Sequence, residues 1–253
     1  MQNQGNPDGR RAAASDAPLS TIFTPTYNRA YALHRVYESL RNQTSRDFEW
    51  LVIDDGSADG TERLVAGWVA GTDLPIRYLR QNRAGKHFAH NLALKEARGQ
   101  LFRVLDSDDA LVPDALEKLE RCGAKFPPPS SMLSVGGLCC DQNGELVSDG
   151  FPSNPYDADL REMICGDDLR GEKLILGLTD VLRRYPFPEI PDTYLPEGIV
   201  WFDVAKKFKT RWLNQTVRIY YVNDPAKGIT VSQPRQPWPL RARPLALLRL
   251  ASQ

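Results

Sequence analysis

Nowhere in the 253 residues does an apolar run reach the ~18 positions that a membrane-crossing helix requires. A charge excess is missing too. The 32 lysines and arginines are matched by 32 aspartates and glutamates, so the strong basic balance of a duplex nucleic-acid binder is absent, which argues against nucleic acid as a partner. Cysteine is scarce: four residues, at 122, 139, 140 and 165, fit neither a disulfide framework nor a zinc spacing. His34, His87 and His90 do not complete a metal site with them. Reduced thiols and a cytoplasmic setting are the expectation. Residues 1–18 lack the apolar core of a signal peptide and read as a flexible polar arm.

Several nucleotide and metal signatures are also missing. No G-x-G-x-x-G follows the first strand, which argues against a nicotinamide cofactor, and no G-x-x-x-x-G-K-[ST] loop exists for a P-loop ATPase. A twelve-residue calcium loop starting at Asp55 would need a glutamate where Ala66 stands. One starting at Asp106 would need a glycine where Leu111 stands.

What the chain does contain is alternation. Leu19–Thr24 reads as a strand broken by Pro25, and Leu33, Val36, Tyr37 and Leu40 then mark one face of a helix. Phe48–Ile53 is a second strand, ending in Asp54-Asp55-Gly56. Asp59 and Glu62 look like a capping pair for a helix carrying Leu64, Val65 and Trp68. Ile76–Leu79 is a third strand, 87–98 a third helix and Leu101–Leu105 a fourth strand, with Pro113 opening a helix through Leu116 and Leu119. The pattern predicts an α/β class: a Rossmann-like, mostly parallel sheet flanked by helices over 19–126. After Pro127-Pro128-Pro129 the character changes. The half from 127 to 225 shows strands at Met132–Leu138, Lys173–Leu176 and Val217–Tyr221, a turn at Asp141–Gly144, and a helix from about Pro196 to Phe208. Residues 226–253 form a proline- and arginine-rich tail.

The functional signal lies at the strand ends. Asp106, Asp108 and Asp109 emerge together after the fourth strand, at the edge where open α/β sheets bind ligands. Like charges that close call for a cation. Alone, the run reads equally as helix-start acids favoured by the helix dipole, the role left to Asp109. Its neighbours are Pro25-Thr26-Tyr27-Asn28 after the first strand and Asp54-Asp55-Gly56-Ser57 after the second. A nucleoside diphosphate needs such a set: a ring to stack on, an acceptor for base N–H, and a metal for the phosphates.

The segments TPTYNRA, VIDDGSADGT and LDSDD, in this order and spacing, resemble family 2 glycosyltransferases of the GT-A fold over about 20–125. LPEGIVWFDVAKKFKTRWLNQTVRIYY is similar to the acceptor-side half of bacterial members. The resemblance implies an inverting transfer of a sugar from a nucleoside diphosphate-sugar, UDP-type, to a saccharide or lipid-linked hydroxyl. It implies nucleobase contacts at Thr26 and Tyr27, a base acceptor at Asp55, Ser107 on the nucleotide-sugar, Asp108 as the direct metal ligand and Asp106 nearer the ribose or a bound water. Manganese or magnesium would be held by Asp106 and Asp108 and would stabilise the departing diphosphate. Lys86 and Asn91, within the stretch of Arg83, His87 and His90, would contact the diphosphate or sugar. Glu197, at a helix start that favours a carboxylate, would deprotonate the acceptor, with Asp192 and Asp203 as competitors. Processive members carry Q-x-x-R-W; here Phe208 stands at the glutamine position before Arg211-Trp212, which favours single-residue transfer.

Two rival functions stand beside this one. A nucleotidyltransferase would favour a glycine-rich loop where Pro25-Thr26-Tyr27-Asn28 stands, and a catalytically inactive nucleotide- or glycan-binding module would keep the site without turnover. In the tail, Arg241, Arg243 and Arg249 among leucines offer a contact to the inner face of an anionic membrane, against ordinary packing of the same residues.

Overall fold

A computed structural model describes residues 17–123, 131–159, 161–163, 169–191, 193 and 195–222. Most of the arm, the triple proline, Cys165, Asp192 and the whole tail therefore lie outside the described residues.

Two strands with apolar side chains on both faces form the centre. In β1 (Ser20–Thr26) and β2 (Phe48–Asp54) every residue but Pro25 is buried, and both pair in parallel. β3 (Ile76–Arg80) and β4 (Leu101–Val104) extend them to the order β3-β2-β1-β4. Helices cover both faces, as a parallel sheet demands. On one face α1 (Ala30–Arg41), α2 (Thr61–Gly71) and α4 (Ala115–Gly123) bring Leu33, Val65 and Leu116 onto Trp50. On the other, α3 (Lys86–Glu96) and α6 (Gly198–Ala205) bring Ala89, Ala93 and Val200 onto Phe23 and Leu51.

The sheet continues through the second half. β8 (Lys173–Leu178) runs antiparallel to β4, and β6 (Met132–Cys140) antiparallel to β8. β9 (Lys209–Ile219) is parallel to β6, while β5 (Ala110–Leu111) and β7 (Tyr156–Ala158) pair antiparallel with β9. Six of the nine described strands, β1 to β4, β6 and β9, thus point the same way. α5 (Thr179–Leu182) follows β8 directly.

Four local expectations are corrected. β1 runs through Pro25, because odd-numbered residues of β1 face β4 and β4 ends at Val104, so the missing N–H at Pro25 has no ladder partner to lose. Asp59 and Glu62 form no capping box: Asp59 Oδ1 accepts from Thr61 N–H (3.2 Å) and Oγ1–H (2.6 Å), while Glu62 pairs outward with Arg80 at 2.8 Å. The last helix stops at Ala205 and β9 begins at Lys209, well before Val217. There Trp212 packs against the bare backbone of Gly136, where a Cβ would approach its ring to 2.4 Å. Asp109 is not a helix-start acid; it is 1% exposed and faces Arg218 of β9.

Candidate functional site

Parallel register puts the ends of β1, β2 and β4 on one edge, with Thr26 opposite Asp54 and Leu105 N–H bonded to Phe23 O at 2.8 Å. The first two loops are tied together. Asn28 N–H donates to Ser57 Oγ (2.8 Å), Ala58 N–H to Asn28 Oδ1 (2.8 Å) and Ala30 N–H to Asp59 Oδ2 (2.9 Å). Asn28 takes a left-handed φ of 51°, which asparagine tolerates better than most residues. This turn directs Tyr27 outward; the residue is 36% exposed and lies outside the core. Arg83 covers it, its guanidinium carbon 4.5 Å from the ring centroid and Nη1 donating to the phenol at 3.0 Å. Thr26 is buried, and its Oγ1 has no hydrogen-bond partner.

Asp55 reaches the same cavity but is also engaged. It is 8% exposed and accepts from Gln81 Nε2 (2.7 Å), Ala84 N–H (2.8 Å) and Gly85 N–H (2.9 Å). Its first duty is to hold the 81–85 loop that delivers Lys86. A carboxylate has about four lone-pair sites, so one remains for a further donor.

Lys86, the first residue of α3, joins the acidic edge to the second half of the chain. Its Nζ donates to Asp106 Oδ1 at 2.8 Å and to Glu197 Oε1 at 2.9 Å. Desolvation alone would lower its pKa, but the two carboxylates raise it well above the usual lysine value. Desolvation likewise acts to raise Asp106, and Lys86 overrides it, bringing that carboxyl down to about 2. Asp108 pairs with Arg29 Nη1 at 3.3 Å. The cation demanded by the clustered carboxylates is therefore supplied here by Lys86 and Arg29. Among the described residues, no three histidine, cysteine or acidic side chains gather as a ready metal site. Glu197 sits at the start of α6 as expected, its carbonyl accepting from Val200 N–H at 3.2 Å. Of its competitors, Asp203 pairs with Lys206 one turn along the helix (2.6 Å), and Asp192 lies outside the described residues.

The basic stretch expected around Lys86 comes apart. His87 Nε2 meets Ile190 O at 3.0 Å. His90 is 5% exposed, edge-on to Phe23, Phe102 and Phe187, and burial lowers its pKa to about 4 despite the nearby Glu197 charge. It is a neutral ring at the floor of the site. Asn91 is not brought to the cavity. Its Oδ1 accepts from Phe187 N–H (2.9 Å) while Nδ2 donates to Phe187 O (2.9 Å), so it clamps the segment leading to Glu197.

Two cavities meet at these groups. One, of about 490 Å³, is lined by Thr26, Tyr27, Asp55, Lys86 and Ser107. The other, of about 330 Å³, is lined by Arg103, Ser134, Glu172, Lys173 and Arg218. Asp106, Asp108, His90, Glu197 and Trp201 line both. Sequence reasoning missed Arg29, Trp201 and the whole second cavity. The one signal for the latter was an arginine in the middle of an otherwise apolar strand, Leu101-Phe102-Arg103-Val104. The described cysteines, Cys122, Cys139 and Cys140, are free thiols, and no described helix is long and apolar enough to cross a membrane.

Comparison with known proteins agrees with this geometry. Residues 21–121 match the family described as Glycosyl transferase family 2. Over 210 residues, 81% of this chain and 65% of the relative, the sequence is 27% identical to a GalNAc(5)-diNAcBac-PP-undecaprenol beta-1,3-glucosyltransferase of Campylobacter jejuni. The chain spans between 14% and 65% of the length of the first curated relatives it matches. Its fold is shared with S. aureus TarS 1–349 in complex with UDP-GlcNAc, at a TM-score of 0.67 and 20% identity over 92% of this chain and 65% of that one. It is also shared with the mannosyltransferase PcManGT from Pyrobaculum calidifontis in complex with GDP-Man and Mn2+. There the TM-score is 0.60, with 22% identity over 84% of this chain and 59% of the other. The expected GT-A architecture is thus the observed one.

Proposed function

From a chain that carries a glycosyltransferase family 2 domain over residues 21–121, we propose a metal-dependent, inverting sugar transfer from a UDP-type donor to a hydroxyl acceptor. The observation that carries this reading is the meeting of Asp106 and Asp108 with Glu197 across one continuous site, bridged by Lys86.

Each part has a duty. Tyr27, exposed and already flanked by Arg83, offers a face for the base, and Thr26 Oγ1 is a buried group awaiting a partner. Lys86 and Arg29 lie where diphosphate oxygens would arrive, and the pairs they now make with carboxylates are exchangeable. Manganese or magnesium binds through one or two carboxylates together with substrate phosphates, so Asp106 and Asp108 suit it without a third protein ligand. When bound, the ion supplies Lewis-acid stabilisation of the departing diphosphate.

Glu197 accepts the acceptor's hydroxyl proton as that oxygen bonds to the anomeric carbon. The carbon–oxygen bond to the diphosphate breaks, and its electron pair leaves with the diphosphate. Glu197 must first part from Lys86, and an arriving diphosphate is the natural competitor for that ammonium. Transfer to a saccharide or lipid-linked acceptor fits the open second cavity. The test is release of nucleoside diphosphate from UDP-glucose, UDP-GlcNAc or GDP-mannose, with a panel of glycoside acceptors, with manganese and with EDTA. Acceptor-stimulated release that EDTA abolishes is expected; no release from any donor would defeat the proposal.

A further inference from the structure

α6 opens with an apolar run, Gly198-Ile199-Val200-Trp201-Phe202, yet of its residues only Val200, Val204 and Ala205 are buried. Trp201 is half-buried: it packs partly against the cluster of Phe23 and Leu51, and it lines both cavities. The other described tryptophans are engaged. Trp50 is fully buried, Trp68 stacks on Tyr37 with centroids 4.4 Å apart, and Trp212 packs on Gly136 and stacks on Phe151 at 5.2 Å. Among the described residues no ring lies on the Trp201 indole, and the indole N–H has no hydrogen-bond partner. A large aromatic left open among charged groups is suited to binding, because apolar walls hold a ligand while a few polar groups orient it.

Glu197 lies one helical turn before Trp201, whose backbone N–H donates to Glu197 O at 3.3 Å. Residues four apart on a helix are neighbours, with about 5–6 Å between their Cβ atoms. Tyr27, Thr26 and Asp55 line the larger cavity alone, whereas Glu197 and Trp201 also line the smaller one of about 330 Å³. A molecule in the smaller cavity therefore meets Glu197 and Trp201 without displacing the nucleotide. That cavity has no charge to satisfy. Asp106 and Glu197 share Lys86, Asp108 takes Arg29, and Asp109 and Glu172 share Arg218. With Arg103 and Lys173 in the same wall, five cations face these five carboxylates.

Resting on the transferase reading above, we propose that Trp201 is the stacking platform of the acceptor subsite, and that the residue it selects is an uncharged pyranose. The C–H face of a pyranose lies on the indole, as an apolar surface does on an aromatic ring. The hydroxyl edge of the ring then stands beside the Glu197 carboxylate. Glu172, whose side chain is 51% exposed, has acceptor sites left for the remaining hydroxyls. A carboxylate or phosphate on that sugar would meet acids already paired and find no cation to spare.

The test labels the full chain with 5-fluorotryptophan and follows its fluorine resonances with UDP bound and magnesium, which is not paramagnetic, in place of manganese. The resonance missing from Trp201→Phe is that of Trp201. Methyl glycosides of glucose, galactose, mannose, GlcNAc and GalNAc are then titrated, with methyl glucuronoside as the charged comparison. At least one neutral glycoside is expected to move the Trp201 resonance saturably, and the glucuronoside to bind more weakly. Followed through the glycoside's own signals, Trp201→Ala weakens that binding about tenfold or more while UDP affinity stays within about twofold, and Trp201→Phe keeps part of it. A Trp201 resonance unmoved by every neutral glycoside overturns the platform, whether or not Trp201→Ala folds. So does a folded Trp201→Ala protein that binds the glycoside as the wild type does. A glucuronoside that binds as tightly as its neutral twin contradicts the selection for an uncharged ring. UDP alone separates the two claims: if it binds while no glycoside does, only the platform falls, and if it fails to bind, the transferase reading falls and the platform with it.

Discussion

The Lys86 ammonium stands 2.9 Å from the Glu197 carboxylate, across 111 residues of sequence, and the same ammonium holds Asp106 at 2.8 Å. One lysine therefore couples the proposed base to the proposed diphosphate site. A base held by a cation is restrained until something anionic takes the cation away, which gives the donor a reason to bind first.

If Glu197 is the base, Glu197→Gln lowers kcat by about 10²–10⁴ while leaving UDP affinity within about twofold. Steady-state kinetics paired with calorimetry read both quantities. A Glu197→Gln enzyme turning over at the wild-type rate would move the base to Asp203 or Asp192.

The buried pair Asp109–Arg218 makes a different prediction, about stability. Asp109→Ala leaves Arg218 with Glu172 alone, and removing one partner of a buried pair costs about 3–5 kcal/mol. Glu172→Gln, at the more exposed end, costs about 1 kcal/mol. Urea midpoints measure both, and equal small effects would deny Asp109 its structural role.

Legibility in the sequence followed the range of the interaction. β1 to β4 could be read because each is a compact run of buried apolar residues, and the strand ends followed from them. β5 and β7 could not, since two and three residues carry no period. The first half of β9, residues 209–216, carries no strand signal of its own, because what holds it is Trp212 packing on Gly136, a contact 76 positions away. Asp106, Asp108 and Glu197 were placed correctly at strand and helix ends. Asn91 and Asp109 were misjudged for one reason: their partners, Phe187 and Arg218, lie about a hundred residues on. Arg103 was passed over inside its own strand.

His90 sets a pH dependence. Its folded pKa of about 4, lowered by burial, lies below the usual 6.5, so the unfolded chain binds the extra proton first. Its contribution to stability is complete above pH 6.5 and declines as pH falls toward 4, by about 3 kcal/mol in all. Glu197 and Lys86 are the charges facing it, and they act in opposite directions. His90→Phe, which suits the surrounding Phe23, Phe102 and Phe187, removes this slope. Chemical unfolding at half-unit pH steps shows it, and parallel profiles for both proteins would rule it out.

Asp55 supports its loop through three hydrogen bonds, so Asp55→Ala frees residues 81–85 and costs about 2–4 kcal/mol. Faster amide exchange at Ala84 and Gly85 accompanies the loss. Unchanged protection there would leave Asp55 without its positioning role.

The proposed metal-dependent transfer is tested most directly by the affinity of UDP with and without manganese, measured by calorimetry on the wild-type chain and on Asp108→Asn. Manganese is predicted to tighten UDP binding at least about tenfold in the wild type, and Asp108→Asn to lose that gain while still binding UDP weakly. Equal affinity in manganese and EDTA, or a full manganese effect in Asp108→Asn, would contradict it.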